Sequence, residues 1–257
     1  ISPVSTLIKW FPDRPGMATG MAIMGFGGGA FIAAPLSVWL MSKFNTASHV
    51  GVAETFIILG AVYFCFMIVG AIIVRVPAPG WKPAGYVAPT VAQKLITRSD
   101  VFVYDALKTP QFWLIWWVLC LNVTAGIGVL GQASAMSQEM FPGVITPVAA
   151  AGFVGLMSLF NMGGRFCWAT VSDYLGRRNT YFVFMVLGFL LYVTVPHAGL
   201  TGNVPLFVGC FLIIISMYGG GFSTVPAYLK DMYGTRYVGA IHGLLLTAWS
   251  AAGIFGP

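Results

Sequence analysis

The chain has 257 residues, 58% of them hydrophobic and only 8% charged, with a mean hydropathy of +0.86 and a net charge of +6. Soluble domains carry roughly a quarter charged residues, so this composition excludes a soluble fold and supplies apolar runs long enough to cross a bilayer. The basic residues form no cluster interleaved with polar and aromatic side chains, so nucleic acid is not an expected partner.

Ile1 to Ile8 reads as the end of a helix, and KWFPDRPG follows as a charged turn in which Pro12 and Pro15 stop it. Apolar spans are expected at about 16–41 and 51–74. Between Arg75 and Pro110 the character changes, because Lys82, Lys94, Arg98, Asp100, Asp105, Lys108 and several prolines mark a hydrophilic linker. Five more spans are expected at about 111–134, 147–171, 179–196, 204–226 and 238–257. Since the chain starts and stops inside apolar segments, it reads as a fragment truncated at both ends.

Alternating the loops across a membrane sorts the basic residues sharply. Lys9, Arg14, Arg75, Lys82, Lys94, Arg98, Lys108, Arg177, Arg178, Lys230 and Arg236 fall on one side, and Lys43 alone on the other. The richer side is expected to face the cytoplasm, which places the chain in a cell membrane with the lipid bilayer as its surroundings.

An internal repeat links the two ends. KWFPDRPGMATGMAIMGFGGGA resembles KDMYGTRYVGAIHGLLLTAWSAAG at an offset of 223 positions. Gly16 and Gly20 match Gly239 and Gly243, while Gly25-Phe26-Gly27 matches Ala248-Trp249-Ser250. Two halves on one plan, joined by a polar linker, are the sequence sign of a repeat-built secondary transporter.

Other motifs carry less. GFGGGA, at 25–30, fits a dinucleotide-binding fingerprint only on paper, because it lies inside an apolar span with no preceding strand. Its glycines instead let helices approach closely. Cys65, Cys120, Cys167 and Cys210 lie in apolar runs without CxxC spacing, so free thiols are expected. His49, His197 and His242 have no metal-ligand spacing, and no span groups a serine, a histidine and an acid. No metal, cofactor or enzyme activity is expected.

Arg165 is the exception. It lies inside the span SLFNMGGRFCWA, about five residues or roughly 7 to 8 Å to the cytoplasmic side of the midpoint. Asp173 is eight residues away, so no helical neighbour neutralises it. Insertion of such a charge costs about 2.5 to 3.5 kcal/mol. A water-accessible cavity in which the guanidinium awaits an anion is the expected compensation, since its planar fork matches a carboxylate.

The loop KWFPDRPGMATG, the span FWLIWWVLCLNVTAGIGVLGQA, the run NMGGRFCWATVSDYLGRR and the segment PAYLKDMYG together resemble the major facilitator superfamily, and within it the oxalate/formate antiporter family. The resemblance implies an all-α membrane protein of two six-helix bundles with inverted repeats, covered here from the end of helix 4 to most of helix 11. Residues 1–74 would then be part of the N-terminal bundle (end of helix 4, helices 5 and 6), 75–110 the cytoplasmic central linker, and 111–257 part of the C-terminal bundle (helices 7 to 11). SDYLGRR resembles the superfamily's GxxxDRxGRR loop signature, with Ala169 in place of its glycine and Tyr174 in place of its basic residue. That likeness implies cytoplasmic gating roles for Asp173, Arg177 and Arg178, and the loops at Asp13-Arg14 and Asp231-Arg236 are expected to join them.

The arginine of GGR is the family's carboxylate-binding residue, and Arg165 falls on it. The family's oxalate carrier adds a helix-11 lysine in a TAKG context; here the stretch is TAWS and the position is Trp249. One cation matches a monoanion better than a dianion, so formate, lactate or pyruvate is expected in preference to oxalate. Trp249, Tyr218 and Phe222 are expected to wall the cavity, with Asn161 one turn before Arg165.

The expected activity is exchange of small carboxylate anions by alternating access, in a protein acting as a monomer. A proton-coupled monocarboxylate symporter and a transporter-derived carboxylate sensor stay open as alternatives. The symporter type places an acid where this chain has Asn161.

Overall fold

A computed structural model describes residues 2–46, 49–78, 80–86, 96–97 and 99–256. Among the described residues all regular structure is helical: α1 (Ser2–Trp10), α2 (Pro15–Lys43), α3 (Val52–Ile73), α4 (Val103–Leu107), α5 (Pro110–Met140), α6 (Pro147–Leu175), α7 (Arg177–Leu200), α8 (Val204–Tyr233), α9 (Val238–Leu245) and α10 (Thr247–Phe255). Helices satisfy every interior backbone group without water, which is the requirement a bilayer imposes. Their starts follow local chemistry. Proline stands in the first turn of α2, α5, α6 and α8, where its missing N–H is harmless. The side chains of Thr146 and Asn203 cap α6 and α8 by accepting from the amides of Ala149 and Leu206 at 3.2 and 3.1 Å.

Among the described residues six helical segments are long and apolar enough to cross a membrane: Pro15–Lys43, Val52–Ile73, Pro110–Met140, Arg177–Leu200, Val204–Tyr233 and Val238–Phe255. The expected span at 147–171 forms α6, which has the length, 29 residues, but is not among the six. It lies between α2 and α8, so its polar side chains meet protein. Two expectations on boundaries need correction. The span at 204–226 runs on to Tyr233, placing Lys230 and Asp231 in the last turn of a helix, where Asp231 pairs with Arg177 at the start of α7 and Lys230 reaches the Pro12 carbonyl. The span at 238–257 ends at Phe255 and carries a turn at Leu246, between α9 and α10, while staying one apolar segment.

α8 is the most enclosed helix and carries the core. At one end Phe207 and Phe211, 4.5 Å apart, meet Phe141 and Phe153 with ring centroids 5.2 to 6.0 Å apart. Towards the other end Phe222, Leu229 and Tyr233 join Ile8, Phe112, Leu119, Ile241 and Leu245. α6 crosses α8 so closely that a methyl group on Gly164 would overlap the Ser216 carbonyl. α3 is the contrary case: of its 22 residues only Thr55 and Leu59 are buried.

The turns bearing the sorted basic residues meet at one end of the bundle. Trp10 Nε1 donates to the Arg75 carbonyl at 2.8 Å, Lys230 Nζ reaches the Pro12 carbonyl at 3.5 Å, and the Arg236 amide donates to Asp100 at 3.0 Å. The linker runs beside the end of α8, with the amides of Thr97 and Val101 donating to the carbonyls of Asp231 and Tyr233. Lys94 and Arg98 lie outside the described residues.

Candidate functional site

Arg165 stands about two-thirds of the way along α6 and is 1% exposed. It is therefore enclosed, and the expected water-accessible cavity around it is not open in this conformation. Three contacts replace the missing solvent. Asn161, one helical turn earlier and also buried, accepts from Nε through Oδ1 at 3.1 Å. The Phe26 and Phe222 rings cover the guanidinium, with their centroids 5.2 and 5.1 Å from Cζ.

A hydrogen bond to a charged group contributes about 1.5 to 3 kcal/mol. Each desolvated cation–π contact adds about 0.5 to 2 kcal/mol. Together these match the insertion cost of about 2.5 to 3.5 kcal/mol. One group is left over: among the described residues the buried Nη1 has no hydrogen-bond partner. Among the described residues no carboxylate lies within 4.0 Å of the guanidinium, so its charge is shielded by amide and aromatic groups but not neutralised.

Trp249 of α10 completes the aromatic cluster, meeting Phe222 edge to face at 4.8 Å and Phe26 at 5.5 Å. The structure thus brings together the five expected substrate residues: Arg165, Asn161, Phe222 and Trp249, with Tyr218 buried one turn before Phe222, its ring over Gly126 of α5 and its hydroxyl within electrostatic reach of the Arg165 guanidinium. Phe26 was missed as a site residue, although the internal repeat had already aligned it with Trp249. The same offset of 223 joins the starts of α2 and α9, at Pro15 and Val238.

A second cluster lies at the basic end. α2 has no side-chain cap of its own, and Asp173 of α6 supplies one. Its two oxygens accept from the amides of Gly16 and Met17, each at 2.8 Å. A carboxylate there satisfies two orphan donors and complements the helix dipole. Arg177 then bridges two acids, with Nη2 2.6 Å from Asp173 Oδ1 and Nε 3.1 Å from Asp231 Oδ2, and it also donates to Ser172. Lys230 stands 3.6 Å from Asp231. A cavity of about 830 Å³ lies over this cluster, lined among others by Pro12, Asp13, Tyr86, Asp173 and Arg178, and it stops short of Arg165.

Of the seven expected gating residues, three meet here: Asp173, Arg177 and Asp231. Asp13 and Arg14 face each other at 4.0 Å in an exposed turn. Arg178 and Arg236 are exposed, the latter over the Tyr237 ring. Between the two clusters runs a hydrogen-bonded link that sequence reasoning missed. Thr19 of α2 donates to the Ser223 carbonyl at 2.9 Å, and Ser223 Oγ donates to the Arg165 carbonyl at 2.8 Å. Threonines and serines in apolar helices usually bond their own preceding turn, so nothing in their spacing announces such a link.

The family model of the Major Facilitator Superfamily matches residues 2–257. Among curated proteins, the oxalate:formate antiporter of Oxalobacter formigenes is 30% identical, over 98% of this chain and 56% of its own length. The uncharacterized MFS-type transporter YhjX of Escherichia coli is 23% identical, over 98% and 58% respectively. The apicoplast pyruvate carrier 1 of Toxoplasma gondii is likewise 23% identical, over 98% and 54%. The chain spans about half the length of these relatives. Its family and relatives are membrane transporters, not enzymes, and its apolar helices make it a multi-pass membrane protein. The chain belongs to the major facilitator superfamily.

Proposed function

We propose that the protein is a secondary carrier that exchanges small carboxylate anions across the membrane by alternating access, with Arg165 as the anion anchor. The observation that carries this reading is the buried, partnerless Nη1 of a guanidinium held in place by Asn161 and two aromatic rings. A charge retained in an apolar span without a counter-ion is a functional-site hypothesis by default. The relatives named for oxalate and formate exchange and for pyruvate transport agree with a carboxylate as cargo.

Within that class we favour a monocarboxylate of the formate, lactate or pyruvate type over oxalate. Trp249, at the repeat position facing Phe26, brings an aromatic surface where a second cation would be needed for a dianion. Exchange is preferred over proton symport because Asn161, rather than an acid, holds Arg165. In this reading residues 1–74 and 111–257 belong to the two opposed bundles, and the Asp173–Arg177–Asp231 cluster, on the cytoplasmic side, closes one gate. The remaining expected gating residues, Asp13, Arg14, Arg178 and Arg236, flank it.

Binding tests the reading directly. Purified full-length protein should be stabilised against thermal unfolding by formate, lactate or pyruvate, and the shift should vanish in Arg165→Gln. An equal shift in the variant would remove Arg165 from the site.

A further inference from the structure

A guanidinium can grip a carboxylate along two edges, side-on through Nε and Nη2 or end-on through Nη1 and Nη2. In this chain the first edge is taken. Nε donates to Asn161 Oδ1 at 3.1 Å, and because Nε is only a donor, the amide must present its oxygen there. The contact is built in from both sides. Asn161 precedes Arg165 by one turn of α6, and α8 carries glycine at 219. A Cβ on Gly219 would stand 2.5 Å from Asn161 Oδ1 and 3.1 Å from Arg165 Cγ, so α8 closes directly over the pair.

α2 closes over it in the same way. A Cβ on Gly27 would stand 3.1 Å from Arg165 Nε. The Phe26 and Phe222 rings cover the guanidinium from α2 and α8. What remains is the far edge, where Nη1 has no acceptor.

We propose that Asn161 is a positioning residue: by holding Nε it turns the guanidinium so that the substrate is taken end-on at the Nη1/Nη2 edge, as one carboxylate beside the Phe26 and Phe222 rings. The inference rests on Arg165 being the anion anchor, and it adds how the anion is held. It defines the cargo as a small acid with one carboxylate and a narrow remainder. It also makes Phe26, from the opposite half of the repeat, a wall of the site.

The test measures monocarboxylate counterflow in proteoliposomes of the full-length protein, together with ligand-induced thermal shifts in detergent. Asn161→Ala, Asn161→Asp and Arg165→Gln are compared with wild type. Loss of the charge-assisted bond in Asn161→Ala should raise KM roughly tenfold or more with a much smaller change in maximal rate. Asn161→Asp has the same shape and keeps the acceptor, but adds a charge that neutralises Arg165. It should lose anion binding at neutral pH and regain it as the new carboxyl is protonated. An Asn161→Asp variant that still fails to bind once its carboxyl is protonated would overturn the proposal even if Asn161→Ala failed to fold, because the neutral acid restores both the shape and the acceptor for Nε. So would an Asn161→Ala variant that binds more tightly, because a freed Nε would then serve the substrate side-on. If Arg165→Gln transports normally, the failure belongs to the anchor reading. If Arg165→Gln is inactive and both Asn161 variants behave as wild type, it belongs to the positioning role alone.

Discussion

Replacing Asp173 by Asn should open the basic end of the protein. The native carboxylate receives the amides of Gly16 and Met17 at 2.8 Å and Arg177 at 2.6 Å, and its side chain and that of Arg177 are 6% and 8% exposed. Removing one partner of a buried pair costs about 3 to 5 kcal/mol. The lower end applies here because Arg177 keeps Asp231 and Ser172. An asparagine retains one acceptor for the α2 amides, at neutral rather than charge-assisted strength. A net loss of about 3 kcal/mol falls only on the conformation in which α2 meets α6, so the ratio of closed to open forms should drop on the order of 100-fold. Electron-spin distance measurements can read this, with nitroxides at the exposed Phe11 and Tyr174 and the exposed Cys65 and Cys167 replaced by serine. Wild type should give one short distance, and Asp173→Asn a second, longer population. An unchanged distribution in the variant would refute the reasoning, because it would show that the cap and ion pair do not hold the two helices together.

Two further predictions follow from the packing and the site. Gly164→Ala should lower the melting temperature in detergent, since the new methyl overlaps the Ser216 carbonyl and overpacking costs about 1 to 3 kcal/mol, whereas Gly25→Ala, with nothing within 4 Å, should be silent. Trp249→Lys should shift competition for the site towards oxalate over formate by roughly tenfold, because a second cation then faces the dianion; an unchanged ratio, measured by inhibition of labelled exchange, would separate Trp249 from selectivity.

The spans and their order were legible in the sequence because the bilayer forces apolar residues into long runs, and the run at 51–74 became α3 within a residue or two. Helix ends were less legible. Asp231 and Lys230 look like loop residues by hydropathy, yet they stay helical because their charges meet Arg177 and the Pro12 carbonyl. Arg165 stood out because a charge in an apolar run is rare. Its surroundings were only partly visible: Asn161 and Phe222 lie one helical turn from Arg165 and Tyr218, and Trp249 stood at the family's helix-11 lysine position, whereas Phe26 reaches the site through a fold of the chain that brings residues 26 and 165 together. The Asp173 cap on α2 spans 157 positions and could not be read from local spacing. The repeat held the missing signal, since it aligned Phe26 with Trp249 before their 5.5 Å contact was seen.

The central claim is that Arg165 anchors a carboxylate during exchange. It is tested most directly by loading proteoliposomes of the full-length protein with unlabelled formate, lactate or oxalate and following entry of the labelled anion. Wild type should show uptake stimulated by internal monocarboxylate, and Arg165→Gln should show none. Stimulated uptake that survives the substitution would contradict the account and make Arg165 a structural residue.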